Sequence, residues 1–520
     1  MALIKSAATV GGYTLLSRLL GFVRDMLMAS IVGSGPIAEA FVIAFRFPNL
    51  FRRLFGEGAF NSAFVPMFAK RHEGDGAEAA RLFAEEIYTV LLVTVLGLVA
   101  LCEALMPLLM YLFAPGFAAD PAKFDLAILM TRIAFPYLLF MSLAALLGGV
   151  LNSLQRFAAA AAAPIVLNVV MISVLAGIKL VGWGASAATG QALVWGVSLA
   201  GLLQFLMLWI ACRRAGMGLK LVRPRITPQV RRLVKLGLPG TIAGGITQLN
   251  LVISTVIASL QAGAASWLYY ADRVYQLPLG IVGVAVGIVL LPELSRRLRA
   301  GDDAGAESSQ NRALEISLLL TVPAAVGLMA LSIPVVNVLF ERGAFTPADT
   351  RATAGALAAF AAGLPAFVMI KVFAPGFFAR EDTRTPMMFA VIGVGLNIVG
   401  ALALFPFLSH VGIAVATSLS AWVNAGLLGI TLQKRGGFAA DHRLRSAVIR
   451  IIVASLVMGA ALIAAMHAAA GLFVPDVGLM VRITILGSLV VAGAGFYFGL
   501  TWLTGAFRPG DFARAFRRAR

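Results

Sequence analysis

Cysteine, histidine and charge are all scarce in this chain. Two cysteines in 520 residues, Cys102 and Cys212, exclude a disulfide framework and a cysteine-rich metal site. The four histidines, His72, His410, His442 and His467, are scattered, and no pair has ligand spacing. There is no Walker motif, no Ser/His/Asp set and no aspartate-rich cluster of the kind that holds a metal-bound sugar nucleotide. No enzyme constellation is present, and neither a cofactor nor a metal is expected. Charged residues make up only 13% of the chain, which is too few for a soluble domain of this size.

What fills the sequence instead is apolar. Hydrophobic residues reach 60%, and the mean hydropathy is +0.92. A membrane-crossing helix needs about 20 apolar residues. Fourteen such stretches follow one another, at about 7–33, 37–56, 86–113, 126–154, 158–180, 186–212, 233–261, 267–291, 313–340, 353–379, 386–408, 411–432, 447–470 and 478–505. The opening run MALIKSAATVGGYTLLSRLLGFVRD lacks a strong basic region and a cleavage site, so it reads as the first span. The expected fold is therefore an all-α polytopic membrane protein of about fourteen transmembrane helices.

The net charge of +18 is arranged by sidedness and implies no nucleic-acid partner. With fourteen spans, twenty-nine Lys and Arg fall on the face holding both termini, against Lys123, Arg342 and Arg351 on the other. Positive loops mark the cytoplasmic side, which predicts two cytoplasmic termini. The basic tail FRPGDFARAFRRAR reads mainly as a topology signal in contact with anionic lipid.

The chain also resembles itself. At an offset of about 230, Lys5 falls on Lys235, Ser17 on Thr247, Ala29 on Ser259, Gly33 on Gly263 and Pro48 on Pro278. Further on, Phe135-Pro136 falls on Leu364-Pro365. Six spans per unit give two lobes of like orientation, a parallel pseudo-repeat with the ligand site between them. The expected organisation is an N-lobe over 1–220, a C-lobe over 221–435, and two extra helices with a basic tail over 436–520. The linker 213–235 is the expected hinge.

The candidate site lies in charges at membrane depth. The first two spans hold Arg18, Arg24, Arg46, Arg52 and Arg53, with only Asp25 and Glu39 as nearby acids. A cation at the bilayer centre costs at least about 2.5–3.5 kcal/mol, so such residues normally face a cavity or a partner. Asn49, Arg52 and Arg53 share a helix face. Arg18 and Arg24, six residues apart, do not share one on a straight helix. Asp25 is placed to orient Arg24. Ser266, Asp272, Arg273 and Gln276 occupy the matching region of the eighth span. Guanidinium groups grip phosphate oxygens in pairs, which suits a pyrophosphate. Arg46 and Arg53 fit an interfacial position equally well, and Arg132, Lys179 and Arg482 read better as interfacial or locally paired residues.

Four stretches, SRLLGFVRD (17–25), FRFPNLFRRLFGEGAFNSAFVP (45–66), SWLYYADRVYQLPLG (266–280) and FAPGFFAREDTRTP (373–386), closely resemble the MurJ (MviN) lipid II flippase family, part of the multidrug/oligosaccharidyl-lipid/polysaccharide exporter superfamily. The likeness covers essentially the whole chain. It implies fourteen helices in two lobes around a central cavity, and alternating-access transfer of undecaprenyl-pyrophosphate-linked disaccharide-pentapeptide, lipid II, from the cytoplasmic to the periplasmic leaflet of the inner membrane for peptidoglycan synthesis. By the same likeness Arg18, Arg24, Asp25, Asn49, Arg52, Ser266 and Arg273 line the cavity. Glu39 stands where an aspartate is common, and Gln276 where some members have glutamate. Some relatives bind sodium through aspartates, which spans seven and eleven lack here. The implied partners are lipid II and the bilayer, with a monomer and the cell-wall synthesis machinery as further expectations. The driving force is a membrane potential, an ion gradient or the substrate's own gradient. The extra spans resemble a groove for the lipid tail, with Gly493 and Gly495 expected on its inner face. The alternative within the superfamily is a drug/cation antiporter or another polysaccharide-lipid exporter. An antiporter would want acidic rather than basic cavity residues.

Overall fold

A computed structural model describes residues 2–52, 59–474 and 477–506. Among them there is no β-strand. By contacts the chain forms two compact units. The first runs to Ser266 and takes in Arg342–Thr346, and the second comprises Trp267–Glu341 and the chain from Pro347 onward.

The first unit contains α1 (Ala2–Val32), α2 (Pro36–Arg52), α3 (Ala59–Gly74), α4 (Gly76–Ala104), α5 (Met106–Phe113), α6 (Pro121–Ala134), α7 (Tyr137–Ser153), α8 (Phe157–Val181), α9 (Ala187–Arg214) and α10 (Pro228–Ser259). From there on come α11 (Ala264–Arg299), α12 (Asp303–Ala330), α13 (Ser332–Phe340), α14 (Pro347–Phe378), α15 (Arg384–Leu408), α16 (His410–Lys434), α17 (His442–Ala469) and α18 (Leu479–Leu503). Each of the fourteen apolar stretches meets one helix or a broken pair, as far as the described residues reach. The breaks fall at Leu105, at Phe135-Pro136 and at Leu331. Among the described residues ten spans are long and apolar enough to cross a membrane, with α6 and α7 counted as one. Those outside the ten include α1, α2 and α11, which carry the candidate charges.

Local signals explain the helix starts. Asp120 and Thr227 each precede a proline at the first helical position, and each side chain accepts from the backbone N–H three residues on, at Lys123 and Val230. Gly33 and Gly263, which the sequence offset superposes, lie in the turns after α1 and α10 with φ of 67° and 84°, a left-handed backbone that glycine adopts without strain. Large apolar side chains such as Ile449 and Val453 on α17 and Val491 on α18 are exposed. In water this would be an aggregating surface, whereas in lipid it is the expected outer face.

Helix α3 lies between two of the apolar stretches and is not itself one of the fourteen. Its Phe64 and Phe68 are fully buried and pack with Phe83, Leu146, Leu147 and Val150 in the first unit's core. The signal for it is the i, i+4, i+8 spacing of Phe60, Phe64 and Phe68.

The linker expected to act as a hinge is fastened down over part of its length. Met217 and Leu219 are buried in the same core. Lys220 N donates to Glu85 Oε1 (3.1 Å), Val222 N to Thr89 Oγ1 (3.1 Å), and the Thr227 hydroxyl to Glu86 Oε2 (3.1 Å). Glu85 and Thr89 are one turn apart on α4, so the strap follows one face of that helix.

The two last helices hang on α12. Ala447, Ile451, Ala454 and Met458 of α17 cluster with Leu319, whose carbonyl accepts from the Tyr497 hydroxyl of α18 (2.8 Å). The segment before α17 is tied to α12 by Arg312, which bridges Glu315 and Asp441, and by Asn311, which donates to Ala439 O (2.9 Å). Arg482, expected to be interfacial or locally paired, is instead 6% exposed and donates to Asn337 Oδ1 of α13 (3.1 Å), 145 residues away. Gly493 faces Leu462, where a Cβ would stand 3.1 Å from that side chain, whereas Gly495 has open space. Only the first of these two glycines therefore lies on the packed face.

The strap has a direct test. Glu85→Ala removes the charged acceptor of Lys220 N, a bond of on the order of 1–2 kcal/mol. Trypsin cleavage after Lys220 or Arg225 of the purified protein should then accelerate roughly five- to thirtyfold, by mass action on the opened strap. An unchanged cleavage rate would mean that the Glu85 bond does not hold the linker.

Candidate functional site

The charged residues of α1 sort themselves by face. Arg18 is exposed, whereas Arg24 is 6% and Asp25 1% exposed. This agrees with the six-residue spacing, which turns the two arginines to different sides. Arg24 donates through Nε (3.0 Å) and Nη2 (2.7 Å) to Asp25 Oδ1 and through Nη1 to Asn168 Oδ1 of α8 (3.1 Å). Asn168 in turn donates to Ser17 O (2.8 Å). The amide side chain packs at Gly21, where a Cβ would stand 3.5 Å from it. The Phe45 ring of α2 lies 5.9 Å from the Arg24 guanidinium. Asp25 thus orients Arg24 as expected from its position, and Asn168 is a partner to which the sequence gives no pointer.

Glu39 opens α2 and is 1% exposed. Its Oε2 lies 2.5 Å from Lys123 Nζ. The Asp120-Pro121 cap starts α6 so that Lys123 sits in its first turn, and the ammonium also stacks 3.8 Å from the Phe117 ring. The charge pattern places Lys123 among the loop cations, and it is instead the counter-ion of a candidate site residue. Further along α2, Arg46 donates to Thr255 Oγ1 of α10 (3.1 Å), and the half-buried Asn49 donates to Phe45 O (2.8 Å). The Arg52 side chain and all of Arg53 lie outside the described residues.

Ser266, at the start of α11, is fully buried. Within the second unit Arg273 donates to the Tyr269 hydroxyl (3.2 Å), and its guanidinium lies 4.9 Å from that ring. Asp272 accepts from Gln276 one turn on. Nearby on α11, Trp267 Nε1 donates to Asp349 Oδ1 (2.9 Å), and its ring packs against His410 at 4.8 Å. No signal in the sequence ties these three residues together.

Among the described residues no group of three metal-ligating side chains exists. The structure brings Arg24 and Asp25 together and places Asp272, Arg273 and Gln276 on neighbouring turns of one helix. Glu39 has its own partner in Lys123. What the arrangement offers is guanidinium groups held in set orientations by a carboxylate, an amide and an aromatic ring.

The Glu39–Lys123 pair yields a sharp expectation. Removing one partner of a buried ion pair strands the other charge, at about 3–5 kcal/mol, whereas neutral replacement of both is nearly harmless. Lys123→Met should therefore lower the thermal midpoint of the detergent-solubilised protein markedly. The double variant Glu39→Gln, Lys123→Met should recover most of the loss. Equal losses in the single and double variants would refute the pairing as the cause.

Comparison with known proteins follows the same lines. The family described as lipid II flippase MurJ matches residues 28–484. A probable lipid II flippase MurJ from Rhizobium meliloti (strain 1021) is 50% identical over 519 residues, spanning 100% of this chain and 97% of that protein. Among solved structures, a lipid II flippase MurJ in an inward closed conformation superposes with a TM-score of 0.75 at 25% identity, covering 94% of this chain and 98% of that one. An inward-facing multidrug resistance MATE family transporter of the MOP superfamily shares the fold, with a TM-score of 0.66 at 13% identity over 82% of this chain and 98% of its own. A helical membrane protein with arginines held inside its first spans, matched along nearly its whole length in both sequence and structure, is thereby placed: the chain belongs to the lipid II flippase MurJ family.

Proposed function

We propose that this chain is a transporter that moves lipid II, undecaprenyl-pyrophosphate-linked disaccharide-pentapeptide, from the cytoplasmic to the periplasmic leaflet of the bacterial inner membrane. The observation that carries the reading is the family match over residues 28–484. The proposed lobes are 1–220 and 221–435, with 436–520 as an addition, both termini are cytoplasmic, and the two lobes alternate access to a shared cavity. Arg18, Arg24, Asp25, Glu39, Asn49, Arg52, Arg53, Ser266, Asp272, Arg273 and Gln276 are the proposed substrate-contacting set. Arg18 is exposed and Arg273 rests against an aromatic ring, positions from which a cation can meet an arriving anion. Arg24 is held ready by Asp25 and Asn168, so that its orientation is fixed before an anion arrives. The membrane potential or an ion gradient drives the cycle, and the protein acts as a monomer.

The test is a leaflet-accessibility assay for lipid II in cells depleted of the native protein and supplied with variants. Arg18→Ala and Arg273→Ala should abolish flipping at normal protein levels, and lysine should rescue poorly because it lacks the two-pronged grip. Arg24→Ala should do the same with an added loss of stability. Full activity in Arg18→Ala and Arg273→Ala together would sink the pyrophosphate reading.

The added helices are proposed to guide the polyprenyl tail. Gly493→Trp, which wedges α17 from α18, should slow flipping of long-tailed substrate more than of a short-tailed analogue, and Gly495→Trp, in open space, should be tolerated. Equal effects on both tail lengths would remove this role.

A further inference from the structure

A cavity of about 960 Å³ lies where the ends of α7, α8 and α9 meet Thr9 of α1, within the first unit. Its wall is built from Leu151, Phe157, Met207 and Ile210. Arg156 and Arg214 stand over it, and none of its lining residues is acidic. Both arginines are exposed, and among the described residues neither is bonded to a carboxylate.

Position along the helices gives the cavity its polarity. Arg214 is the last residue of α9, and Arg156 is the cap immediately before α8. Both helices are apolar enough to span a bilayer, so the two guanidinium groups lie at headgroup depth. Met207 and Ile210 lie one to two turns inward from Arg214, at acyl-chain depth. The turn that presents Arg156 is fixed: its N–H donates to Leu151 O (2.8 Å), a six-to-one closure that puts Gln155 in the left-handed region, with φ of 59°. A glutamine in that conformation is costly and persists only where the surroundings over-determine it.

We propose that this cavity is a binding site for one anionic glycerophospholipid, with its phosphate between Arg156 and Arg214 and its acyl chains along the apolar wall. Two cations at headgroup depth over an apolar wall with no acid match a phosphodiester carried on hydrocarbon. Free phosphate would leave the wall unused, and a zwitterionic lipid would set its own cation against the arginines. None of the proposed substrate-contacting residues lines this cavity, and the proposal does not depend on that reading.

The experiment uses the full chain purified from detergent into mixed micelles containing equal phosphatidylglycerol and phosphatidylcholine, with retained lipid counted by native mass spectrometry. The wild-type chain should keep one phosphatidylglycerol in preference to phosphatidylcholine. Arg156→Gln, Arg214→Gln should lower that preference roughly tenfold to thirtyfold, as two interfacial arginines would. A control of equal charge change, Arg223→Gln, Arg299→Gln, should leave it intact, and a matched thermal midpoint would show that the cavity variant is folded. Loss of the preference in the control, equal retention of both lipids by the wild-type chain, or displacement of the lipid by millimolar inorganic phosphate would each overturn the proposal.

Discussion

An ionised side chain inside a lipid bilayer must be neutralised by its own protein, and the first unit is organised around that requirement. Arg24 is answered by Asp25 beside it and by the Asn168 amide opposite, and Glu39 by Lys123. These contacts decide which helices can be neighbours. Asn168 ties α8 to α1, and Lys123 ties α6 to α2. Dispersion packing among Ala, Leu and Val would tolerate many rotations and registers of such helices, because lipid tails offer equivalent contacts. A charge that must meet specific polar partners does not.

The same pairing separates structural from chemical duty. A guanidinium whose donors are largely occupied is rigid and pre-oriented, and the energy of orienting it is met at folding rather than at binding. An exposed guanidinium on the same helix is adaptable. Arg24 and Arg18 thus supply one fixed and one exposed cation within two turns of α1. In the second unit Arg273 lies between these cases, because an aromatic face restrains a cation without cancelling its charge.

Much of the architecture is legible in hydropathy alone, because a span is a local property: about 20 apolar residues announce themselves without reference to anything distant. The same is true of Asp120-Pro121 and Thr227-Pro228 as helix starts, and of Gly33 and Gly263 as turns. What escapes is long-range. Asn168 is 144 residues from Arg24, and Lys123 is 84 from Glu39. Nothing near either member names the other. The helix α3 escapes for a different reason: its phenylalanines face a core while its far end is charged, so it falls below the hydropathy of a span without reading as a turn. The strap on α4 is hidden because two of its donors are backbone N–H groups, which nearly every residue possesses.

The two ion pairs also differ in when they can form. A membrane protein is inserted as it is made, at about 5–20 residues per second. Arg24 and Asp25 are adjacent, so that pair is complete as soon as α1 leaves the ribosome. Glu39 must wait for Lys123, 84 residues later, or roughly 4–17 s at that rate. During the interval α2 carries an unanswered carboxyl group, and its stable place in the membrane is settled only when α6 follows. The nascent chain therefore passes through a stage in which its second helix is held by the insertion machinery, by water at the membrane edge or by proton uptake. The arrival of one lysine brings that stage to an end.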